Sequence, residues 1–328
     1  MDYKIDFVIP WVDGSDPKWL DEKKAYSPTA DEDAREIRFR DWGLLRYWFR
    51  AVEENAPWVN KIFFVTWGHL PEWLNVENKK LVIVNHKDYI PEKYLPTFSS
   101  HVIELNFHRI SELSEHFVYF NDDVYIIGKV KPEDFFVDGL PCDCLIENPI
   151  TPLEGGFSSI LCEMGAVINK HFRKSDLKSL GWKKYLNPVY KGLILRTMSM
   201  RRFSNIMGFY NHHISQPHLK STFDEVWNEE YEKLDETCKN RFRGKNDVNQ
   251  YIFRYWNLCK GIFFPKYPMG RNIKMTEDIN YITEVVTKGR YKIITINDVD
   301  GLNDIECRKQ MIDNAFHNRY PNKCSFER

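Results

Sequence analysis

Residues 117–126 read FVYFNDDVYI, four apolar side chains running straight into an amide and two adjacent carboxylates. A buried strand that ends in paired anions either turns sharply into solvent or delivers those anions to a cation and a ligand. Its apolar half is short and continuous, the pattern of a strand covered on both faces. Similar runs rich in Ile, Val and Phe occur at 5–9, 61–66 and 81–84. Helical signals lie between them. Leu44, Leu45, Trp48, Phe49 and Val52 recur at threes and fours, with Asp41 placed to cap and Pro57 to stop the helix. Ser99 or Ser100 can cap another, with Ile103, Phe107 and Ile110 on one face. Strands alternating with helices predict an α/β fold built on a mostly parallel, Rossmann-type sheet flanked by helices, in which ligands bind beyond the carboxyl ends of the strands.

That rule gives the strand ends their interest. Trp11-Val12-Asp13-Gly14-Ser15-Asp16-Pro17 follows the first run, Asn121-Asp122-Asp123 the fourth, and Asn297-Asp298 a further apolar run at 291–295. The first loop can wrap a nucleotide, with Trp11 for packing and Asp13 or Asp16 accepting hydrogen bonds from a base or sugar, although Gly14 and Pro17 alone predict a turn. Adjacent carboxylates suit a hard divalent cation such as magnesium, which is commonly shared with substrate phosphates. The same residues also fit a plain turn between two strands.

The totals bound the function. The chain of 328 residues is 43% hydrophobic, 15% aromatic and 28% charged, enough for one large α/β core with an appended part. Its net charge of −1 conceals a segment, residues 177–223, with no Asp or Glu but with Lys178, Lys183, Lys184, Lys191, Arg196, Arg201, Arg202 and Lys220. Such a segment is a solvated basic face or a site for phosphate, acidic polymer or an anionic membrane surface. Residues 193–196 and 198–202, which mix apolar and basic side chains, raise a peripheral contact with the inner face of the cell membrane. No run approaches the roughly 18 apolar residues of a membrane span, and Met1-Asp2-Tyr3-Lys4 leads directly into strand-like sequence, so the chain reads as cytoplasmic. Seven scattered cysteines predict reduced thiols without structural zinc. Nucleic acid is not an expected partner.

Three units are expected: a nucleotide-binding α/β core at 1–140, an inserted, mainly helical, basic and aromatic region at 141–222, and a segment at 223–328 that completes the core. The change-over falls in the Pro- and Gly-bearing stretch 138–156. Helices are expected at 226–234 and 248–259, the latter capped by Asn246 or Asp247. Glu104 and His108 share a helical face with Ser100. His212, His213 and His218, followed by Arg241 and Arg243, offer a proton acceptor and a clamp for phosphoryl charge.

Residues 5–17, Arg38-Phe39-Arg40-Asp41, Ala56-Pro57-Trp58-Val59, Leu95-Pro96-Thr97-Phe98-Ser99-Ser100 and Asn121-Asp122-Asp123, in that order, resemble the Stealth family of sugar-1-phosphate transferases, over roughly residues 4–125. The resemblance implies a GT-A-like fold and transfer of a sugar 1-phosphate, such as an N-acetylhexosamine 1-phosphate, from a UDP-sugar to a hydroxyl of a glycan or lipid-linked oligosaccharide, with release of UMP and use of Mg2+ or Mn2+. It carries Glu104, Asp123, His218 and Arg243 over as essential positions, with His212 or His213 as alternative counterparts of His218. Expected substrate contacts are Trp11, Val12, Asp13, Gly14, Ser15, Arg40, Thr97, Ser99, Ser100, Asn121 and Asp247; expected metal ligands are Asp122, Asp123, Asn297 and Asp298. Two other readings stay open: a glycosyltransferase that releases UDP, and a non-catalytic carbohydrate binder using the 10 Trp and 17 Tyr.

Overall fold

The computed structural model describes residues 3–26, 32–153 and 157–328, so residues 154–156 of the expected change-over lie outside the described residues. The elements that position the site are, in chain order, strand β1 (Ile5–Trp11), helix α1 (Pro17–Lys24), α2 (Leu45–Asn55), β2 (Ile62–Thr66), β3 (Leu81–Asn85), α3 (Ser100–Leu105), β4 (His116–Tyr119) and β5 (Val124–Ile126). They continue with α4 (Phe157–His171), β6 (Gln216–Leu219), α5 (Lys220–Glu229), α6 (Tyr231–Lys239), α7 (Tyr251–Lys260), β7 (Gly270–Lys274), α8 (Ile279–Lys288), β8 (Ile293–Asn297) and α9 (Ile305–Arg319).

The main sheet has the order β3-β2-β1-β4-β6. Its first four strands are parallel and β6 joins antiparallel at the edge. This is the Rossmann-type arrangement that the buried apolar runs predict, in keeping with the GT-A-like expectation. Phe7, Val8 and Ile9 of the central strand are fully buried between two apolar clusters, one on each face of the sheet. The buried carboxylate of Asp6 knits neighbouring loops to this strand. It accepts hydrogen bonds from Asn60 Nδ2 at 2.6 Å, Lys61 N at 3.1 Å and Ser114 N at 2.8 Å.

A second sheet, β7-β8-β5, is assembled from distant parts of the chain. Val124 of β5 pairs with Thr295 of β8 in antiparallel register, and Ile296 N donates to Asp123 O at 2.9 Å. Residues 122–123 and 297–298 are thereby brought together. Gln216–Leu219, inside the expected insert, is a strand of the main sheet, and both apolar clusters draw on all three expected segments.

Two helix caps differ from expectation. Asp41 does not cap α2, whose N-cap position is Leu44; its Oδ1 accepts from Gly43 N. Asp247 does not cap α7. Asn249 Oδ1 accepts from Tyr251 N there, while Asp247 accepts from Gly244 N and Asn240 Nδ2. The expected helix at 226–234 is two helices, α5 and α6, meeting at Glu230.

Candidate functional site

A cavity of about 500 Å³ opens where the carboxyl ends of β1 and β4 meet the second sheet. Trp11, Arg40, Ser100, Glu104, Asn121, Asp122, Asp123, Arg243, Asn297 and Asp298 all line it, drawn from six separate stretches of chain. Arg38, Asp41, Trp42, His101, Asn211, His213, Gln250 and Asn272 add to the polar lining.

The acidic rim comes from the register described above. Asp123 Oδ2 lies 3.3 Å from His213 Nε2, while its Oδ1 is buried without a hydrogen-bond partner. Asp122 reaches into the cavity, yet protein walls surround it. Desolvation first, then the charges of Asp123 and Asp41, push its carboxyl up to about 7. Burial would depress His213, but Asp123, with Glu104 and Asp122 behind it, outweighs burial and raises its pKa. His213 adopts φ 39°, a left-handed backbone uncommon outside glycine, and its carbonyl accepts from Thr295 Oγ1. Asp298 is bound by Arg40 at 3.0 Å.

Three guanidinium groups, Arg38, Arg40 and Arg243, share the cavity with this rim. Arg243 donates to Ser100 Oγ at 2.8 Å; desolvation and nearby Arg38 lower its pKa, against the pull of Glu104, without neutralising it. Arg243 is held there by pairing of its backbone with Asp33, whose carboxylate binds Arg38. Glu104 is 5% exposed and accepts from Tyr119 OH at 2.8 Å. Burial raises its pKa, partly offset by His101 and Arg243. His101 Nδ1 is 2.8 Å from Asp247 Oδ2, both almost fully buried, which fixes the ring at the cavity wall.

The remaining expected residues, Val12, Asp13, Gly14, Ser15, Thr97, Ser99 and Asp247, are not part of the lining. Thr97 Oγ1 accepts from Ser99 N, and Ser99 Oγ is buried without a partner. Asp13 N donates to His69 Nε2 at 2.7 Å and Asp13 Oδ1 accepts from Ser15 N and Oγ, which closes the loop after β1. Gly14 is required there, because a Cβ would meet the Phe39 carbonyl at 2.2 Å. Val12 packs with Trp19, Phe98 and Phe242 rather than lining the cavity.

His218 lies apart from the cavity. It sits on β6, is 1% exposed, and packs against Phe117 and Phe223. Burial depresses it to about 3, so it is a neutral core ring outside the cavity. His213, five residues earlier, is the histidine at the acidic rim. His212 faces another way, toward Cys144 and the Asp143–Arg254 pair.

Among the described residues, the grouping whose ligand atoms lie within 4.8 Å of one another is Asp143, Cys144 and His212. It fits a cation poorly. Arg254 binds both oxygens of Asp143 at 2.7 and 2.9 Å, and burial pushes the Cys144 thiol up to about 12, away from the thiolate that a cation would need. The acidic rim fits a hard divalent ion better, since it offers oxygen donors, an unpartnered buried carboxylate oxygen and crowded negative charge. Trp11 Nε1, Trp42 Nε1, Gln250 Oε1 and Asn272 Oδ1 are further buried polar atoms of the lining that have no protein partner.

Family profiles described as Stealth protein CR1, conserved region 1, and Stealth protein CR2, conserved region 2, match residues 3–31 and 38–142. The chain is 41% identical to the capsular polysaccharide phosphotransferase WcwK of Streptococcus pneumoniae, covering 99% of this chain and 98% of that one. It is 36% identical to the exopolysaccharide phosphotransferase cps2G of Lactiplantibacillus plantarum, covering 99% and 97%. The crystal structure of the galactosyltransferase LgtC with donor and acceptor sugar analogues superposes with a TM-score of 0.41 at 11% identity, over 94% of this chain and 95% of that one, a likeness too distant to inform the chemistry. Through its full-length relatives and the two conserved regions, the chain belongs to the Stealth family.

Proposed function

We propose that the protein is a cell-surface polysaccharide phosphotransferase that moves a hexose 1-phosphate, such as an N-acetylhexosamine 1-phosphate, from a UDP-sugar to a hydroxyl of a glycan acceptor. The observation that carries this reading is one cavity whose lining combines Asp122, Asp123, Asn297 and Asp298 with Arg38, Arg40 and Arg243. Opposed charges of that kind suit a diphosphate together with its counter-ion. The full-length relatives named as polysaccharide phosphotransferases support it.

In this mechanism the nucleoside lies against Trp11 and the loop Asp13–Ser15, and the arginines bind phosphate oxygens. An acceptor hydroxyl attacks the β-phosphorus, forming the new P–O bond as the anhydride bond to the α-phosphate breaks and UMP leaves. Glu104 accepts the hydroxyl proton, since a buried carboxylate of raised pKa is suited to that task. Arg243 meets the charge on the transferring oxygens, because such reactions depend chiefly on positioning and electrostatics. Asp122, Asp123, Asn297 and Asp298 would hold Mg2+ or Mn2+, whose bound form would neutralise diphosphate charge. His213 orients Asp123. We place the reaction in the cytoplasm, where nucleotide sugars are supplied.

Product analysis with a panel of UDP-sugars tests the assignment. UMP and a phosphodiester-linked product are expected, whereas UDP and a simple glycoside would assign the protein to the glycosyltransferases. Asp123→Asn is expected to abolish polymer synthesis, and unchanged synthesis would favour a carbohydrate binder.

A further inference from the structure

Six of the large hydrophobic side chains that stand exposed, Trp182, Val189, Leu195, Met198, Phe203 and Met207, fall within the acid-free segment 177–223. Trp182 is 73%, Leu195 66% and Met198 51% exposed. A folded protein in water seldom concentrates apolar side chains this way without a partner. Leu195, Met198 and Arg202 follow one another at helical spacing, three and four residues apart, along the helix Ile194–Met200 and its continuation.

Contacts between elements make this one face. The helix Ile194–Met200 packs on the turn Pro188–Leu193, and Lys191 of that turn lies over the exposed ring of Tyr267 at 4.8 Å. The short helix Gly181–Lys184, which carries Trp182, packs on Phe264–Pro265, where Phe264 is exposed as well. Lys178, Lys183, Lys191, Arg196, Arg201 and Arg202 are exposed along the same segment, and among the described residues none of them has a salt-bridge partner. The face leads to the site: Ile206 is tied to Asn169 of α4 through both its N and O, Tyr210 N donates to Ile146 O, and Asn211 and His213 line the cavity.

We propose that this face docks on an anionic phospholipid bilayer, with Leu195, Met198, Phe203 and Trp182 entering the interface and the lysines and arginines bound to headgroups. Charge complementarity selects the occupant, since an apolar surface flanked by cations without salt-bridge partners is matched by hydrocarbon bordered with phosphate. An acceptor carried on a lipid would then be presented beside the cavity through segment 203–213. The docking is independent of the donor chemistry, which the nucleotide product reports separately.

Vesicle co-sedimentation of the full chain tests it. Binding to phosphatidylcholine vesicles containing phosphatidylglycerol is expected, with loss in high salt and little binding to phosphatidylcholine alone. Arg201→Ala with Arg202→Ala should weaken partition about fivefold per charge. Leu195→Ser with Met198→Ser should weaken it on the order of tenfold. These side chains are exposed, and an unchanged melting temperature confirms folding; should one pair unfold, the other decides. Binding indifferent to lipid charge, or wild-type binding by the folded variants, overturns the proposal. So does retention on an acidic polysaccharide with no vesicle binding, which would assign the face to a polymer.

Discussion

Glu104 and His218 are both buried, both titratable and both singled out in the sequence, but only one of them reaches the cavity. Glu104→Gln keeps the shape and removes the proton acceptor, so kcat should fall by about 10² to 10⁴ with little change in melting temperature. The acid limb of the wild-type pH profile should lie above the ordinary carboxylate range, because activity needs the ionised form and burial raises the pKa. Activity is thus lost as pH falls through that raised value, and an acid limb at the usual carboxylate value would contradict the role. His218→Gln should instead lower thermal stability through lost ring packing and leave the kcat of the folded fraction near wild type. Which of His213 and His218 lines the cavity is not written in the local sequence. Both stand in a run of polar and apolar residues without helical or strict strand periodicity, and only the left-handed turn at His213 aims its ring at Asp123.

At the scale of elements, the strands of the main sheet were legible because continuous Ile, Val and Phe runs have few other uses in a soluble chain. The caps were less so. Asp41 and Asp247 stand where a helix start wants an acceptor, yet the cavity claims Asp41 and His101 claims Asp247. Nothing local announces such partners. The junction of α2 with the C-terminal segment was also hidden: Arg50 binds Glu327 through two nitrogens at 2.6 and 2.7 Å, and both are nearly buried. Burial alone would raise the Glu327 pKa, but the hydrogen bonds and charge of Arg50 lower it on balance. A depressed carboxylate stabilises fully above its ordinary value of about 4.3 and loses that contribution as pH falls through the depressed one. Glu327→Gln should therefore cost about 3–5 kcal/mol at neutral pH and less in acid, measured by urea unfolding across pH. A penalty that stays constant down to strongly acid pH would refute this account. Gly14→Ala should loosen the loop after β1 by forcing it off the Phe39 carbonyl, seen as a raised KM for the UDP-sugar.

For the molecule as a whole, the sequence showed that three acidic strand ends exist but not that the second and third meet. The meeting depends on the antiparallel pairing of β5 with β8, a contact between residues some 170 positions apart in numbering, Val124 with Thr295. Local pattern carries no record of such a partner. A chain ended before β7 should retain much of the parallel sheet yet show no measurable donor turnover, and adding the missing segment in trans should restore some activity if the two parts associate. Turnover by the shortened chain alone would remove Asn297 and Asp298 from the site.

The same pairing also sets an order of events during synthesis. A ribosome must release the chain through β8 before the acidic rim is whole, so a nascent chain can fold its first strands long before residues 122–123 and 297–298 meet. Products that stop short of β8 would then carry the parallel strands without an assembled rim.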